Sequence, residues 1–153
     1  LHNAGLLGRI TPFDQYNPEL WEQVMQVNIN GPIWMTQALL PLLQASDDAS
    51  VVFTSSSVGR KGRAYWGAYS VSKFATEGFV EVLADELDNQ PNVRVNTLNP
   101  GATRTQMRRT AYPGEDPFTL RTPEEIMPTY LWLMGPDSKG VSGQKFDAQP
   151  PRA

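Results

Sequence analysis

Tyr69 and Lys73, with Ser56 upstream of them, are the residues whose types and spacing offer chemistry. Four positions apart in a segment that reads as helix, Tyr69 and Lys73 share one face, about one turn from each other. A lysine ammonium near a phenol favours the phenolate and lowers its pKa. A tyrosine tuned in this way acts as an acid or a base near neutral pH. Ser56 lies 13 residues before Tyr69 and closes a β-rich run. A strand end and the start of the next helix converge above a parallel sheet, which would bring this hydroxyl to the tyrosine. Plainer readings stand beside these. The pair also suits a solvated helix face, and Thr54-Ser55-Ser56-Ser57 also suits a hydroxyl-rich turn.

Composition narrows the chemistry. The chain has 153 residues, 13 of them basic and 16 acidic, for a net charge of −3. This is the length of one domain. The charge balance gives no electrostatic reason to expect nucleic acid or an anionic membrane as partner. Cysteine is absent, which excludes disulfides, thiolate metal sites and cysteine nucleophiles. The one histidine, His2, stands at the start of the chain, far in sequence from the serine cluster. There is no G-x-S-x-G elbow either, so a serine hydrolase and a histidine metal centre are both disfavoured, and no metal site is expected. No apolar run approaches the length of a membrane span, and no signal-type start is present. The expected location is the cytoplasm.

The elements that must position these residues follow from spacing. Asn17-Pro18-Glu19 is a helix start, a capping side chain followed by proline at the first helical position. Leu20, Val24 and Val27 then fall on one face. Asn30-Gly31-Pro32 interrupts or restarts the helix. The continuation from Ile33 to Leu43 is so apolar that burial is expected. Ser50 to Ser55 reads as a buried parallel strand, and Gly59 to Gly67 as a loop. A long helix spans about Tyr69 to Leu87, with Val71, Phe74, Ala75, Phe79, Val82 and Leu83 as its apolar positions. Asn92 to Leu98 is the next strand, stopped by Asn99-Pro100-Gly101. Residues 102–121 lack periodicity and are expected to form a long mobile loop. Thr122-Pro123-Glu124-Glu125 is a capping box opening a helix that ends at Gly135, with Pro128 expected to kink it or weaken a turn. Gln144 to Asp147 is a last strand. Helices alternating with short apolar strands indicate an α/β domain with a parallel sheet. Such sheets carry their chemistry at the carboxyl ends of the strands, where Asn3-Ala4-Gly5, the serine cluster and Asn99-Pro100-Gly101 fall.

With these pieces in order, the sequence resembles the short-chain dehydrogenase/reductase family, classical type. The matching segments are Asn3-Ala4-Gly5, Val27-Asn28-Ile29-Asn30-Gly31, Ser55-Ser56 before Gly59, Tyr69-Ser70-Val71-Ser72-Lys73, and Asn99-Pro100-Gly101. Thr54 to Arg60, Phe74 to Gly78 and Phe146 to Gln149 are most similar to one bacterial subgroup of its oxidoreductases. The resemblance implies a Rossmann-like, doubly wound parallel sheet and an NAD(P)-dependent oxidoreductase. Its cofactor would be NADP or NAD, and its substrate a small carbonyl or alcohol. It also implies roles by position. Tyr69 exchanges a proton with the substrate oxygen. Lys73 holds the nicotinamide ribose and lowers the tyrosine pKa. Ser56 hydrogen-bonds the same substrate oxygen; Ser55 and Ser57 compete for that assignment, and the intervals to Tyr69 and Gly59 favour Ser56. Asn28 breaks its helix and holds a water linking Lys73 to solvent. Asn3, Ala4 and Gly5 support the sheet and line the cofactor pocket. Pro100, Gly101, Thr103 and Thr105 contact the cofactor. By residue type alone, Asn28 is an ordinary polar helix residue, and Asn3-Ala4-Gly5 and Asn99-Pro100-Gly101 are turns.

The family's glycine-rich turn, which binds pyrophosphate at a helix N-terminus, has no counterpart in this sequence. Nor does the residue that chooses between NAD and NADP. Residues 1–148 are therefore expected to be the catalytic part of one Rossmann-fold domain and 149–153 a disordered tail. About 80–90 residues of the usual fold would precede Leu1. The native protein is accordingly expected to be longer. The family also implies a homodimer or homotetramer through the two long helices, and the small residues Ala68, Ser72, Ala75, Thr76 and Gly78 of the second permit close approach. A chain keeping only that interface, without catalysis, is the alternative function. Arg104, Arg108 and Arg109 suit an anionic substrate, the cofactor's phosphates, or simply a solvated surface.

Overall fold

The computed structural model of the chain describes residues 1–150. Three parallel strands form the sheet: β1 (Ala49–Thr54), β2 (Val93–Asn99) and β3 (Lys145–Asp147), in that spatial order. Val51 pairs with Val95 and Leu98 with Phe146. On the free edge of β1, His2 forms a parallel bridge to Phe53. Its N–H donates to the Val52 carbonyl at 2.8 Å, and its carbonyl accepts from Thr54 N at 2.9 Å. The segment leading into Asn3-Ala4-Gly5 thus runs alongside β1, and three polar strand ends come out at one rim.

Both sheet faces are covered, so β1 is largely apolar and even the polar Arg94, Asn96 and Thr97 of β2 are buried. Ala49, Val51 and Phe53 of β1 point to one face, where they meet Val93 and Val95 of β2 and Val80, Leu83 and Leu87. The intervening Val52 points to the other face, with Leu98, Ile126, Tyr130 and Leu133. The first cluster belongs to α3 (Gly67–Glu86), with Leu40 and Leu43 of α2 (Gly31–Gln44) at its border; the second belongs to α5 (Pro123–Met134). The doubly wound α/β architecture is as expected.

The N-terminal helix, α1 (Pro18–Met25), starts at Asn17, whose Oδ1 accepts from Leu20 N at 2.9 Å. The expected interruption before Gly31-Pro32 takes the form of a wide π-type turn over Gln26–Asn30, which carries Asn28 and Ile29 inward. The capping box at Thr122 is present, with Glu125 accepting from Thr122 N at 2.6 Å. Pro128 lies inside α5, which continues past it to Met134.

Two expectations are corrected. The apolar stretch Ile33 to Leu43 is not buried: Thr36 is the one buried side chain of α2, while Trp34, Met35, Leu39 and Leu42 are exposed. Along α3, Val71, Phe74 and Val82 face outward as well, and the helix meets the sheet through Val80 and Leu83. These helices are apolar on two sides, so apolarity overstated their burial. Residues 102–121 are not a structureless loop. They contain α4 (Gln106–Ala111) and a short helical turn at Pro117–Thr119. The Arg104 N–H donates to the Arg121 carbonyl at 2.8 Å, closing the segment at its base. Its local capping by Thr105 and Asp116 leaves no amphipathic period to read.

Candidate active site

A cavity of about 540 Å³ opens at the carboxyl rim of the sheet. Asn3, Gly5, Ser56, Tyr69, Lys73, Pro100, Gly101, Thr103 and Thr105 all line it, arriving from separate segments. Ala4 and Asn28 are not part of the lining. Tyr69 and Lys73 sit in the first turns of α3, one turn apart and both buried. The Lys73 ammonium stands 5.6 Å from the centre of the Tyr69 ring and donates to the Thr54 carbonyl at 2.7 Å. That bond ties α3 to the end of β1.

The serine cluster is sorted by its partners. Ser55 is fully buried and turns under the sheet, where its hydroxyl donates to Glu77 Oε1 at 2.5 Å. Ser57 is exposed and outside the cavity lining. Ser56 lines the cavity beside Tyr69, close enough for its hydroxyl to pull the phenol's pKa downward. Its backbone is fixed by a tight turn in which Gly59 N donates to the Ser56 carbonyl at 2.9 Å. Gly59 lies against α3 so closely that a Cβ there would stand 2.8 Å from the backbone carbonyl and Cβ of Lys73. The adjoining Val58 carbonyl accepts from Ser70 Oγ at 2.6 Å.

Burial dominates the electrostatics. It pushes the Tyr69 phenol above its ordinary value of 10.0, against the downward pull of the Ser56 hydroxyl; the Tyr130 phenol adds a small upward push. Burial also brings Lys73 down from 10.5 to about 8, opposed by the nearby Glu77 carboxylate. The expectation that Lys73 lowers the Tyr69 pKa is therefore not met in this state. The ammonium is directed at the Thr54 carbonyl and at the ring rather than at the phenolic oxygen, and burial outweighs it.

Asn28 acts from beneath. Its Oδ1 accepts from Leu6 N at 2.7 Å, while its Nδ2 donates to the Leu6 carbonyl at 2.9 Å and to Ser72 Oγ at 3.0 Å. Ser72 in turn donates to the Tyr69 carbonyl at 2.8 Å. Asn28 thus clips the segment after Gly5 to the helix that bears Tyr69 and Lys73. Its Nδ2 is committed to these partners, while its Oδ1 and the Lys73 ammonium both face the space beside Gly5.

Sequence reasoning missed several participants. Glu77 joins α3, β1 and β2 beneath the rim: it accepts from Thr97 Oγ1 at 2.8 Å and from Arg60 Nε at 3.2 Å. Arg60 reaches onward to Asp147 and to the Phe146 carbonyl, both at 2.9 Å. Gln149, expected in the disordered tail, donates to the Pro100 carbonyl at 2.7 Å and packs under Gly101, whose φ of +72° suits glycine. Residues 151–153 of that tail lie outside the described residues. Tyr130, Trp66, Met107 and Tyr112 complete the walls. Of the three arginines, Arg108 is paired with Glu115, Arg104 donates to the Pro117 carbonyl, and Arg109 is exposed. His2 is outside the cavity, stacked on Phe53 and bonded to Thr36.

The short chain dehydrogenase family profile matches residues 1–116. The chain belongs to this family. It is 62% identical over 152 residues to the uncharacterized oxidoreductase YciK of Escherichia coli K12, covering 99% of this chain and 60% of that protein. YciK is the type of the bacterial subgroup to which the segments around Thr54, Phe74 and Phe146 pointed. Among solved structures, a short chain dehydrogenase from Salmonella enterica serovar Typhi superposes with a TM-score of 0.94 at 62% identity, over 97% of this chain and 60% of the other. A short chain dehydrogenase of Escherichia coli CFT073, solved in complex with NADPH, gives 0.93 at 61% identity, over 97% and 61%. The chain spans about 60% of the length of these relatives.

Proposed function

We propose that this chain carries the catalytic part of an NAD(P)-dependent oxidoreductase that moves hydride between a nicotinamide cofactor and a carbonyl or alcohol. The observation that supports it most is the meeting of Tyr69, Ser56 and Lys73 in one cavity at the sheet's carboxyl rim. In the reducing direction, the protonated Tyr69 phenol donates its proton to the carbonyl oxygen as the carbon is reduced. The Ser56 hydroxyl donates a hydrogen bond to the same oxygen and stabilises the charge developing there. A phenol held above its ordinary pKa is fully protonated at neutral pH, the form a proton donor needs. Lys73 places a positive charge 5.6 Å from the centre of the phenol ring, which stabilises the negative charge left on Tyr69 after its proton has gone.

NADP or NAD fits the polar side of the cavity; the NADPH complex of the Escherichia coli CFT073 relative favours the phosphorylated form. The bound nicotinamide supplies the hydride. Gly5 leaves open the space beside the Lys73 ammonium, where a Cβ would stand 4.0 Å from Nζ, and this is room for a ribose hydroxyl. Asn3, Pro100, Gly101, Thr103 and Thr105 offer further hydroxyl, amide and backbone contacts, with Ala4 in the turn that carries Asn3 and Gly5. Asn28 positions rather than reacts.

A homodimer or homotetramer is part of this proposal. The exposed Trp34, Met35, Leu39 and Leu42 of α2 and Val71, Phe74 and Val82 of α3 form apolar stripes at helical spacing. Among the described residues no helix is long and apolar enough to cross a membrane.

The test is Tyr69→Phe in the protein, followed by carbonyl-dependent NADPH or NADH oxidation. Turnover is expected to fall by about 10²–10⁴-fold with the fold intact by circular dichroism. Wild-type turnover in this variant would remove Tyr69 from the chemistry.

A further inference from the structure

We propose that the carbonyl substrate is electrically neutral and carries a flat, apolar, preferably aromatic group. This inference rests on the oxidoreductase reading above and concerns the half of the cavity that the cofactor contacts do not use. The lining divides by chemistry. On the sheet side stand the polar strand ends. On the other side Leu7, Trp66, Met107 and Ala111 gather around the ring of Tyr69 as one apolar cluster, and Tyr112 extends it. The ring centres of Tyr69 and Trp66 are 5.9 Å apart, and those of Trp66 and Tyr112 are also 5.9 Å apart. A continuous aromatic wall therefore leads away from the reacting phenol. A group attached to a carbonyl held at Tyr69 and Ser56 lies against that wall. Flat rings gain both burial and edge or offset ring contacts there.

The charges say what the group is not. Among the described residues, Lys73 and Arg108 are the charged side chains of the lining. Lys73 lies at the polar end, directed at the Thr54 carbonyl. Arg108 forms a two-pronged pair with Glu115, at 2.6 and 2.7 Å. Its guanidinium lies 3.7 Å from the centre of the Tyr112 ring. Its charge is neutralised and one face is covered. Arg63 is exposed, outside the lining, bonded to the Tyr112 hydroxyl and set 5.4 Å over its ring. A carboxylate or phosphate on the substrate would be stripped of water against this wall, where the lining cation Arg108 is already paired with Glu115 and the Arg63 guanidinium stays at the exposed rim over Trp66 and Tyr112, which is strongly unfavourable.

The test compares methyl 4-formylbenzoate with 4-carboxybenzaldehyde, which share the ring and the aldehyde and differ in charge. Binding is read from quenching of tryptophan fluorescence, with Trp66→Phe to assign the signal, and turnover from NADPH oxidation. The neutral ester is expected to bind about tenfold or more tighter than the acid. Glu115→Gln, which unmasks Arg108, is expected to narrow that ratio. Equal or tighter binding of the acid to the wild-type protein overturns the inference, and so does ester quenching that persists in Trp66→Phe. Reduction with a preference for the acid likewise overturns it while leaving the oxidoreductase reading in place. Tight ester binding with no reduction of any aldehyde does the reverse: the wall's ligand class stands and the oxidoreductase reading falls.

Discussion

The Ser55 hydroxyl donates to Glu77 Oε1 at 2.5 Å beneath the floor of the cavity. This bond separates the serines of the cluster by direction. With Ser55 held downward by a carboxylate on α3, the alternation of the strand turns Ser56 upward toward Tyr69. The same carboxylate takes Thr97 from β2 and Arg60 from the following loop, so it sets the height of α3 over the sheet. Glu77→Gln keeps the shape but loses the charge. It is expected to destabilise the fold by about 1–3 kcal/mol in urea unfolding, because the buried cluster of Ser55, Thr97 and Arg60 loses its charged acceptor and Arg60 keeps only Asp147 as an ionic partner. Glu77 also holds the Lys73 pKa up, so the variant should lose reducing activity at a lower pH than the parent. An unchanged pH profile with only lower stability would reduce Glu77 to a scaffold residue.

Lys73 links activity to stability with opposite signs. Its folded pKa of about 8 lies below the ordinary 10.5. Between those values the unfolded chain binds more protons, so stability rises with pH across that window. Tyr69 and Tyr130, both pushed above 10.0, reverse the trend above that pH. The expected rise runs from about pH 8 to pH 10 and amounts to about 2–3 kcal/mol. Reducing activity should decline over the same range as the ammonium is lost. Chemical unfolding at a series of pH values tests the first half. In Lys73→Met the rise should vanish; its persistence would assign the window to other groups.

The candidate pair Tyr69 and Lys73 and the sheet were legible because each has a period. Tyr69 and Lys73 declare themselves at helical spacing, β1 as a short apolar run, and β2 by β-branched residues at every second position, Val93, Val95 and Thr97. The break at Asn28 was legible from Gly31-Pro32. Glu77 was not, since a glutamate four residues after a lysine on a helix looks like a solvated pair. Only the tertiary arrangement puts it at 3% exposure under the sheet. The apolar wall was illegible for another reason. Leu7, Trp66, Met107 and Tyr112 come from loops and one short helix, where no local pattern marks a residue as facing a cavity. Gln149 followed a strand and preceded two prolines, which reads as an ending, yet it braces Pro100. The outward apolar stripe of α2 shows the converse error, in which composition was taken as internal burial.

Gly59 accounts for part of the spacing between Ser56 and Tyr69. The turn that carries Ser56 rests on the backbone of Lys73, and a methyl group at Gly59 would overlap it at 2.8 Å. Neither side yields easily, since both are backbone. Gly59→Ala should separate the turn from α3, lower stability by about 1–3 kcal/mol and reduce turnover by more than about tenfold as Ser56 leaves Tyr69. Gly62→Ala is the matched control, because a Cβ there meets nothing within 4 Å. Thermal melts and turnover of the two variants side by side provide the check, and equal behaviour would show that the contact at Gly59 relaxes freely.

The stripes on α2 and α3 lead to a prediction about assembly. Leu42 is 70% exposed, Val82 57% and Phe74 45%, and a Cβ added at Gly78 between the last two would meet open space. Val71, Phe74, Gly78 and Val82 recur at helical spacing along α3, as do Trp34, Met35, Leu39 and Leu42 along α2, so each helix presents one continuous apolar strip. A face of this kind is stable in water when a like face covers it. Sedimentation equilibrium at micromolar concentration should give the mass of a dimer or tetramer. Combining Leu42→Glu with Phe74→Glu places charges in both strips and should shift the mass to that of the monomer, while the far-ultraviolet circular dichroism of the fold persists. A wild-type protein that is already monomeric at those concentrations would show that the stripes serve no self-association.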